Sequence, residues 1–156
     1  MLENLQQQPS DKILDLMQIF IEDTRENKLD LGIGVYKNEL GKTPIMESVK
    51  KAEKILWLKE ETKAYTKLAG DLSYLKAMKG LILADSVDDN RVSAAHTPGG
   101  TSAIRQGFEL IRIASPKAKI WVSNPTWPNH ISILNFLNMN HEEYIYFDKN
   151  TCDLDF

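Results

Sequence analysis

The run Thr97-Pro98-Gly99-Gly100-Thr101-Ser102 constrains this chain more than any other stretch. Before it stand residues 91–96 (RVSAAH), which read as a short strand. After it stand residues 102–113 (SAIRQGFELIRI), where Ile104, Phe108 and Ile111 recur at helical spacing. Strand, glycine turn and helix in that order form a phosphate-binding geometry. Glycines let the backbone approach an anion. The first N–H groups of a helix lack an intrahelical partner, and the helix dipole favours negative charge there. Thr101 and Ser102 add hydroxyl donors. A plain βα turn with a Thr/Ser cap fits the same stretch, and both readings stand on these residues alone.

The 156 residues suffice for one domain of ordinary size. A hydrophobic content of 42% with 26% charged residues is that of a globular protein. The net charge of −3 gives no broad basic face for nucleic acid. Cys152 is the one cysteine, so no internal disulfide forms, which fits a reducing, cytoplasmic compartment. No secretory leader is visible, and no apolar run approaches the ~20 residues that cross a bilayer. Met1 reads as a natural start. The end, Asp153-Leu154-Asp155-Phe156, carries no helix stop signal.

In chain order, residues 1–9 form a polar arm and Ser10-Asp11 an N-cap. Ile13, Leu14, Leu16, Met17, Phe20 and Ile21 then give an amphipathic helix with one buried stripe. Residues 29–36 (LDLGIGVY) read as extended, interrupted by Gly32 and Gly34. Residues 37–43 form a hairpin or loop turning at Gly41. A second helix spans 47–58, with Val49, Ala52, Ile55 and Leu56 inward. Gly70-Asp71 opens a third over 72–83. Residues 85–90 form an acidic loop without the oxygen spacing of a calcium site. From residue 91 the pattern becomes βαβαβ, with strands at 91–96, 119–123 and 142–147 and helices at 102–113 and 130–139. That is the unit of a parallel sheet with crossover helices.

Gly41-Lys42-Thr43 imitates the end of a phosphate-binding P-loop. Tyr36 stands where the motif needs glycine, and Pro44 stands where its helix would start, so the motif is rejected. His96, His130 and His141 have no metal-ligand spacing. Residues 123–130 (SNPTWPNH) follow a strand, where open α/β sheets bind ligands. Two prolines stiffen this loop, and Trp127 offers a flat face between them. This loop and the glycine turn can face one crevice. A flat aromatic beside a phosphate cradle suits a phosphorylated aromatic ring, although Trp127 equally serves as a core or interface anchor.

Four blocks in this order, residues 31–36, 41–44, 97–101 and 123–130, resemble the N-terminal part of aspartate and aromatic amino-acid aminotransferases. These are class I aminotransferases of the fold type I pyridoxal-phosphate enzymes, and the resemblance runs over the whole chain. It implies an α/β fold: an arm and small-domain segment over 1–45, then the first half of a pyridoxal-phosphate-binding large domain over 46–156, an incomplete domain.

The resemblance also implies roles. Gly99, Gly100 and Thr101 bind the phosphate of pyridoxal 5'-phosphate. Trp127 stacks on its pyridine ring. His130 supports the aspartate that holds the pyridinium nitrogen. Ile33 and Gly34 lie over the substrate. Tyr65 reaches the cofactor phosphate of a partner subunit, so a homodimer is expected. The substrates are an L-amino acid and a 2-oxo acid. Ser102 replaces a glycine common in the family, and Lys67-Leu68-Ala69 is not the usual sequence after Tyr65. The family's Schiff-base lysine, pyridinium-binding aspartate and substrate arginine belong to its later parts and find no counterpart here, so no catalytic residue and no turnover by this chain alone are expected. A non-catalytic module that binds a phosphate compound or a partner chain is the alternative.

Overall fold

The computed structural model describes residues 3, 12–32, 34–84 and 86–154. The chain divides into two compact units, Met1–Lys63 and Ala64–Phe156.

Among the described residues the first unit holds two α-helices, α1 (Lys12–Glu22) and α2 (Glu47–Lys59). The Ser10-Asp11 cap and most of the arm lie outside the described residues. The end of α1 is closed by Lys28, whose Nζ donates to the carbonyls of Phe20 at 2.6 Å and Asp23 at 2.5 Å. A cation satisfying the last carbonyls also favours the negative end of the helix dipole. The same ammonium lies 4.3 Å from the centre of the Phe20 ring. The expected turn at 37–43 is present: Asn38 N–H donates to Lys42 O at 2.9 Å and Gly41 N–H to Asn38 O at 2.8 Å. The expected buried stripes of α1 and α2 are not buried. Leu16 and Ile21 of α1 and Val49, Ile55 and Leu56 of α2 are exposed, while Met17 and Phe20 are half-buried.

The second unit begins with α3 (Leu72–Leu83), whose bounds match the sequence reading because Asp71 caps it. The Asp71 carboxylate accepts the Tyr74 N–H at 2.9 Å. A 3-10 turn (Asp89–Arg91) follows, and then α4 (Gly99–Ala114), β1 (Ile120–Asn124), α5 (Pro128–Phe136) and β2 (His141–Ile145). Strands β1 and β2 pair in parallel, Ile120 opposite His141 and Asn124 opposite Ile145, with α5 as the crossover. Phe147–Asp148 (β3) and Asp153–Leu154 (β4) make a small antiparallel hairpin.

Three expectations are corrected here. Residues 92–96 form no strand, since no described segment supplies a ladder partner and a strand is stable only when its N–H and C=O groups are paired. The expected three-stranded βαβαβ is therefore a two-stranded βαβ among the described residues. The last strand ends at Ile145 rather than at residue 147, because Phe147 turns into the hairpin with Leu154. The last helix ends at Phe136 rather than at residue 139. Asn138 takes a left-handed φ of 52°, Asn138 N–H donates to Asn135 O at 3.0 Å and Met139 N–H to Leu134 O at 2.9 Å. This paired closure is a Schellman cap, which brings the residue after the turn against the last helical turn.

That cap builds the core. Leu134 and Met139, joined by it, are buried with Leu137 and Val122, and Phe108, Ile120, Ile131 and Ile133 pack around them. Arg112 ties α4 to the same corner, its Nη1 donating to Leu137 O at 3.2 Å.

Candidate functional site

The glycine turn is set by Pro98. With φ −73° and ψ 83° it forms an inverse γ-turn in which Gly99 N–H donates to Thr97 O at 2.9 Å. Proline's ring holds φ near this value. Gly99 follows at φ 79°, a left-handed conformation that side chains disfavour, and the chain then enters α4. The helix thus begins at Gly99, three residues before the position expected from apolar spacing, because both glycines are taken into its first turn.

No side chain caps α4. Helix geometry leaves the N–H groups of Gly100 and Thr101 without intrahelical acceptors. A Cβ added at Gly99 or Gly100 would meet nothing within 4 Å, so the space over both is open. Thr101 is exposed beside them, and Thr97 Oγ1 donates to Gly99 O at 3.2 Å. Donors, open space and a positive dipole end coincide here, which suits an anion the size of a phosphate.

The second loop leaves the C-terminal end of β1. Its Asn124–Pro125 peptide is cis. Asn124 fixes its root: Nδ2 donates to Glu143 Oε2 at 2.8 Å, and its carbonyl accepts Tyr146 N–H at 3.1 Å. Pro128 stands in the first turn of α5 and Trp127 at its N-cap. His130 meets Trp127 edge to face, with ring centres 5.4 Å apart and planes at 90°. On its other side His130 Nδ1 lies 2.8 Å from Thr126 Oγ1. Trp127 is 37% exposed.

Both loops adjoin the start of α4: Ala103 lines a cleft with Gly99 and Gly100, and Ile104 lines one with Thr126 and His130. They line two clefts rather than the single expected crevice. The glycine turn belongs to a cleft of about 560 Å³ shared with Tyr74 and His96. Thr126 and His130 belong to one of about 390 Å³ with Ile104, Phe108 and Trp121. The first turns of α4 join them. Tyr65 stands fully exposed. In the first unit Gly34 is exposed, and a Cβ there would meet nothing within 4 Å. Ile33 lies outside the described residues. Thr126 is a contact that the sequence reading passed over, although its spacing of four from His130 across a helix start is a readable signal. Among the described residues no group of three or more His, Cys, Asp or Glu could hold a metal ion. No described helix is long and apolar enough to cross a membrane.

Residues 26–156 match the family described as Aminotransferase class I and II. The chain is 47% identical to the aromatic-amino-acid aminotransferase of Paracoccus denitrificans, covering 100% of this chain and 40% of that protein. It is 42% identical to the aspartate aminotransferase of Salmonella typhi, with the same shares of 100% and 40%. Among solved structures, the aromatic-amino-acid aminotransferase from Burkholderia pseudomallei covalently bound to pyridoxal phosphate superposes with a TM-score of 0.87 at 34% identity, covering 97% of this chain and 39% of that one. The chain therefore spans about 40% of the length of the curated relatives it matches. With identities of this size over its whole length, and with the parallel βαβ unit and flanking helices of an α/β fold, the chain belongs to the class I and II aminotransferase family.

Proposed function

We propose that the chain carries the cofactor-phosphate and ring contacts of an aspartate or aromatic amino-acid aminotransferase, an enzyme that moves an amino group between an L-amino acid and a 2-oxo acid. The observation that carries this reading is the uncapped start of α4, with open space over Gly99 and Gly100 and with Ile104 of its first turns beside Thr126 and His130 of the Trp127 loop. Pyridoxal 5'-phosphate, when bound, supplies an electron sink for the bonds at the substrate α-carbon. The residues of this chain do the holding. The Gly100 and Thr101 amides and the Thr101 hydroxyl bind phosphate, with Gly99 giving the close approach. Trp127 lies against the ring and excludes water from one face. His130, held by Thr126 and Trp127, supports the group that binds the ring nitrogen. Tyr65 extends to a second subunit of a cytoplasmic homodimer, and Ile33 and Gly34 cover the substrate.

The lysine that bonds the cofactor in the family has no counterpart among the motifs matched here. Transamination of aspartate with 2-oxoglutarate by these 156 residues is expected to stay at background. The direct test is titration with pyridoxamine 5'-phosphate, which has no aldehyde and so does not react with surface lysines. Amide shifts at residues 99–102 and quenching of Trp127 fluorescence are expected together, and pyridoxamine without phosphate is expected to give neither. A folded chain whose amides at 99–102 do not respond overturns the reading.

A further inference from the structure

Gly70, just before the Asp71 cap of α3, meets the segment that leads into the glycine turn. It is buried and takes φ 100°. A Cβ built on it would lie 2.5 Å from His96 Cβ, with His96 Cγ and N at 3.5 Å. The preceding residue completes the contact: His96 N–H donates to Ala69 O at 2.8 Å. The His96 ring then packs against Tyr74 in a tilted contact, centres 4.8 Å apart and planes at 41°. Tyr74 is held in turn by Asp71, which accepts its N–H. At the other end of α3, Lys79 pairs with Asp89 just before the segment begins.

We propose that Gly70 is a positioning residue for the Thr97–Gly100 turn, acting through His96. This rests on the reading of that turn as a phosphate cradle. The contact is with His96 Cβ, next to the backbone, so rotating the imidazole does not relieve it. A side chain at residue 70 is strained at φ 100° and is accommodated only by a shift of backbone where residue 70 meets His96. One residue on, the turn is stiffened by Pro98 and by the Thr97–Gly99 hydrogen bond, so a displacement at His96 carries to Gly99 and Gly100 rather than dissipating. The wall formed by Tyr74 and His96 is also a wall of the cleft that the two glycines line.

The test uses the 156-residue chain and inorganic phosphate. In Gly70→Ala, the amides of residues 96–101 shift without phosphate present, while those of Val122 and Leu134 stay in place. Phosphate affinity read at residues 99–102 falls about tenfold, as expected for a strained cradle. Gly80→Ala, where an added Cβ meets nothing within 4 Å, is the control and changes neither. Gly70→Ala combined with His96→Gly removes the close contact and regains affinity toward that of His96→Gly alone, a recovery that general destabilisation of the fold would not give. Amides at 96–101 unmoved in Gly70→Ala, or no recovery in the double variant, overturn the proposal. If phosphate leaves the native amides at 99–102 unshifted while Gly70→Ala still displaces them, the phosphate reading fails and the positioning contact stands.

Discussion

Thr126 and His130 meet at 2.8 Å across the start of α5, hydroxyl oxygen to ring Nδ1. The hydroxyl can donate to Nδ1 or accept from it, so the pair fixes the ring plane in either tautomer. That plane stands at 90° to the Trp127 indole. One hydrogen bond thereby orients the histidine against the aromatic face proposed for the cofactor ring.

Thr126→Val keeps the shape and removes the oxygen. A hydrogen bond of this kind contributes about 0.5–1.5 kcal/mol, so binding of pyridoxamine 5'-phosphate is expected to weaken by roughly two- to tenfold. Thr126→Ser retains the oxygen and is expected to stay close to native. The check is the affinity of both variants beside the 15N shift of His130 Nδ1. An unchanged Nδ1 shift in Thr126→Val would show that the ring is held by other means.

Leu134 is fully buried, and the core around it has only Val122, Leu137 and Met139 as further buried members among the described residues. Leu134→Ala is expected to cost about 2–5 kcal/mol, much of the stability of a small unit. Leu110→Ala, on the exposed face of α4, is expected to cost little. Asn138 gives a separate reading of the same corner. A non-glycine residue in the left-handed region costs about 1–2 kcal/mol, and asparagine tolerates it better than alanine. Asn138→Ala is therefore expected to lower the urea midpoint, and Asn138→Gly to hold or raise it. Equal midpoints for the two would remove the cap from the account.

These residues also show what could be read from the sequence. The bounds of α3 were legible because the signal is local: Asp71 stands directly before the first apolar position and accepts an N–H three residues on. The end of α5 was not, since the apolar spacing runs on through Leu137 and Met139 while the stop is a left-handed Asn138. Residues 92–96 have strand composition, but a strand needs a partner, and pairing is not written in the segment itself. The tight turn before α4 was legible from its glycines. The Thr126–His130 bond left a local signal in its spacing of four, whereas the approach of Gly70 to His96 did not, because it joins two segments far apart in the sequence.

The same Asp71 cap carries a pH dependence. The Ser73 hydroxyl, and then the Tyr74 N–H, hold the Asp71 carboxyl below its ordinary value of 3.8. The folded state thus favours the ionised form more than the unfolded state does. The resulting stabilisation is full above the ordinary value and is lost as pH falls through the lower folded value. The Tyr74 amide is expected to keep its shift from neutral pH to about 4 and to move below it. In Asp71→Asn, which caps without titrating, it should move little. Parallel titrations of the Tyr74 amide in the two proteins would show that another carboxylate governs the helix.

The accessible surface of the chain is 14497 Å². Two separate compact bodies of the sizes of its units would expose only about 9,500 Å² together. Large apolar side chains are among what is exposed: Leu29, Leu31, Tyr65 and Leu68 are almost wholly accessible. On the parallel pair, Trp121 is 58% and Ile145 62% exposed, where a parallel sheet ordinarily has both faces covered. The edges of β1 and β2 that do not face each other have no strand partner among the described residues, and such edges are templates for another chain. Each few hundred Å² of apolar surface withdrawn from water gains several kcal/mol at ~25 cal/mol per Å², against a domain stability of ~5–15 kcal/mol. The 156-residue chain on its own is therefore expected to bind a hydrophobic dye and to associate with itself as concentration rises. Trp121→Lys together with Ile145→Lys, on these exposed faces, should reduce both effects without disturbing the Leu134 core. Light scattering across a concentration series, read beside dye fluorescence, decides it. A monomer at every concentration, with a cooperative melt and no dye binding, would mean that the apolar faces are covered within the chain and that the surface argument fails.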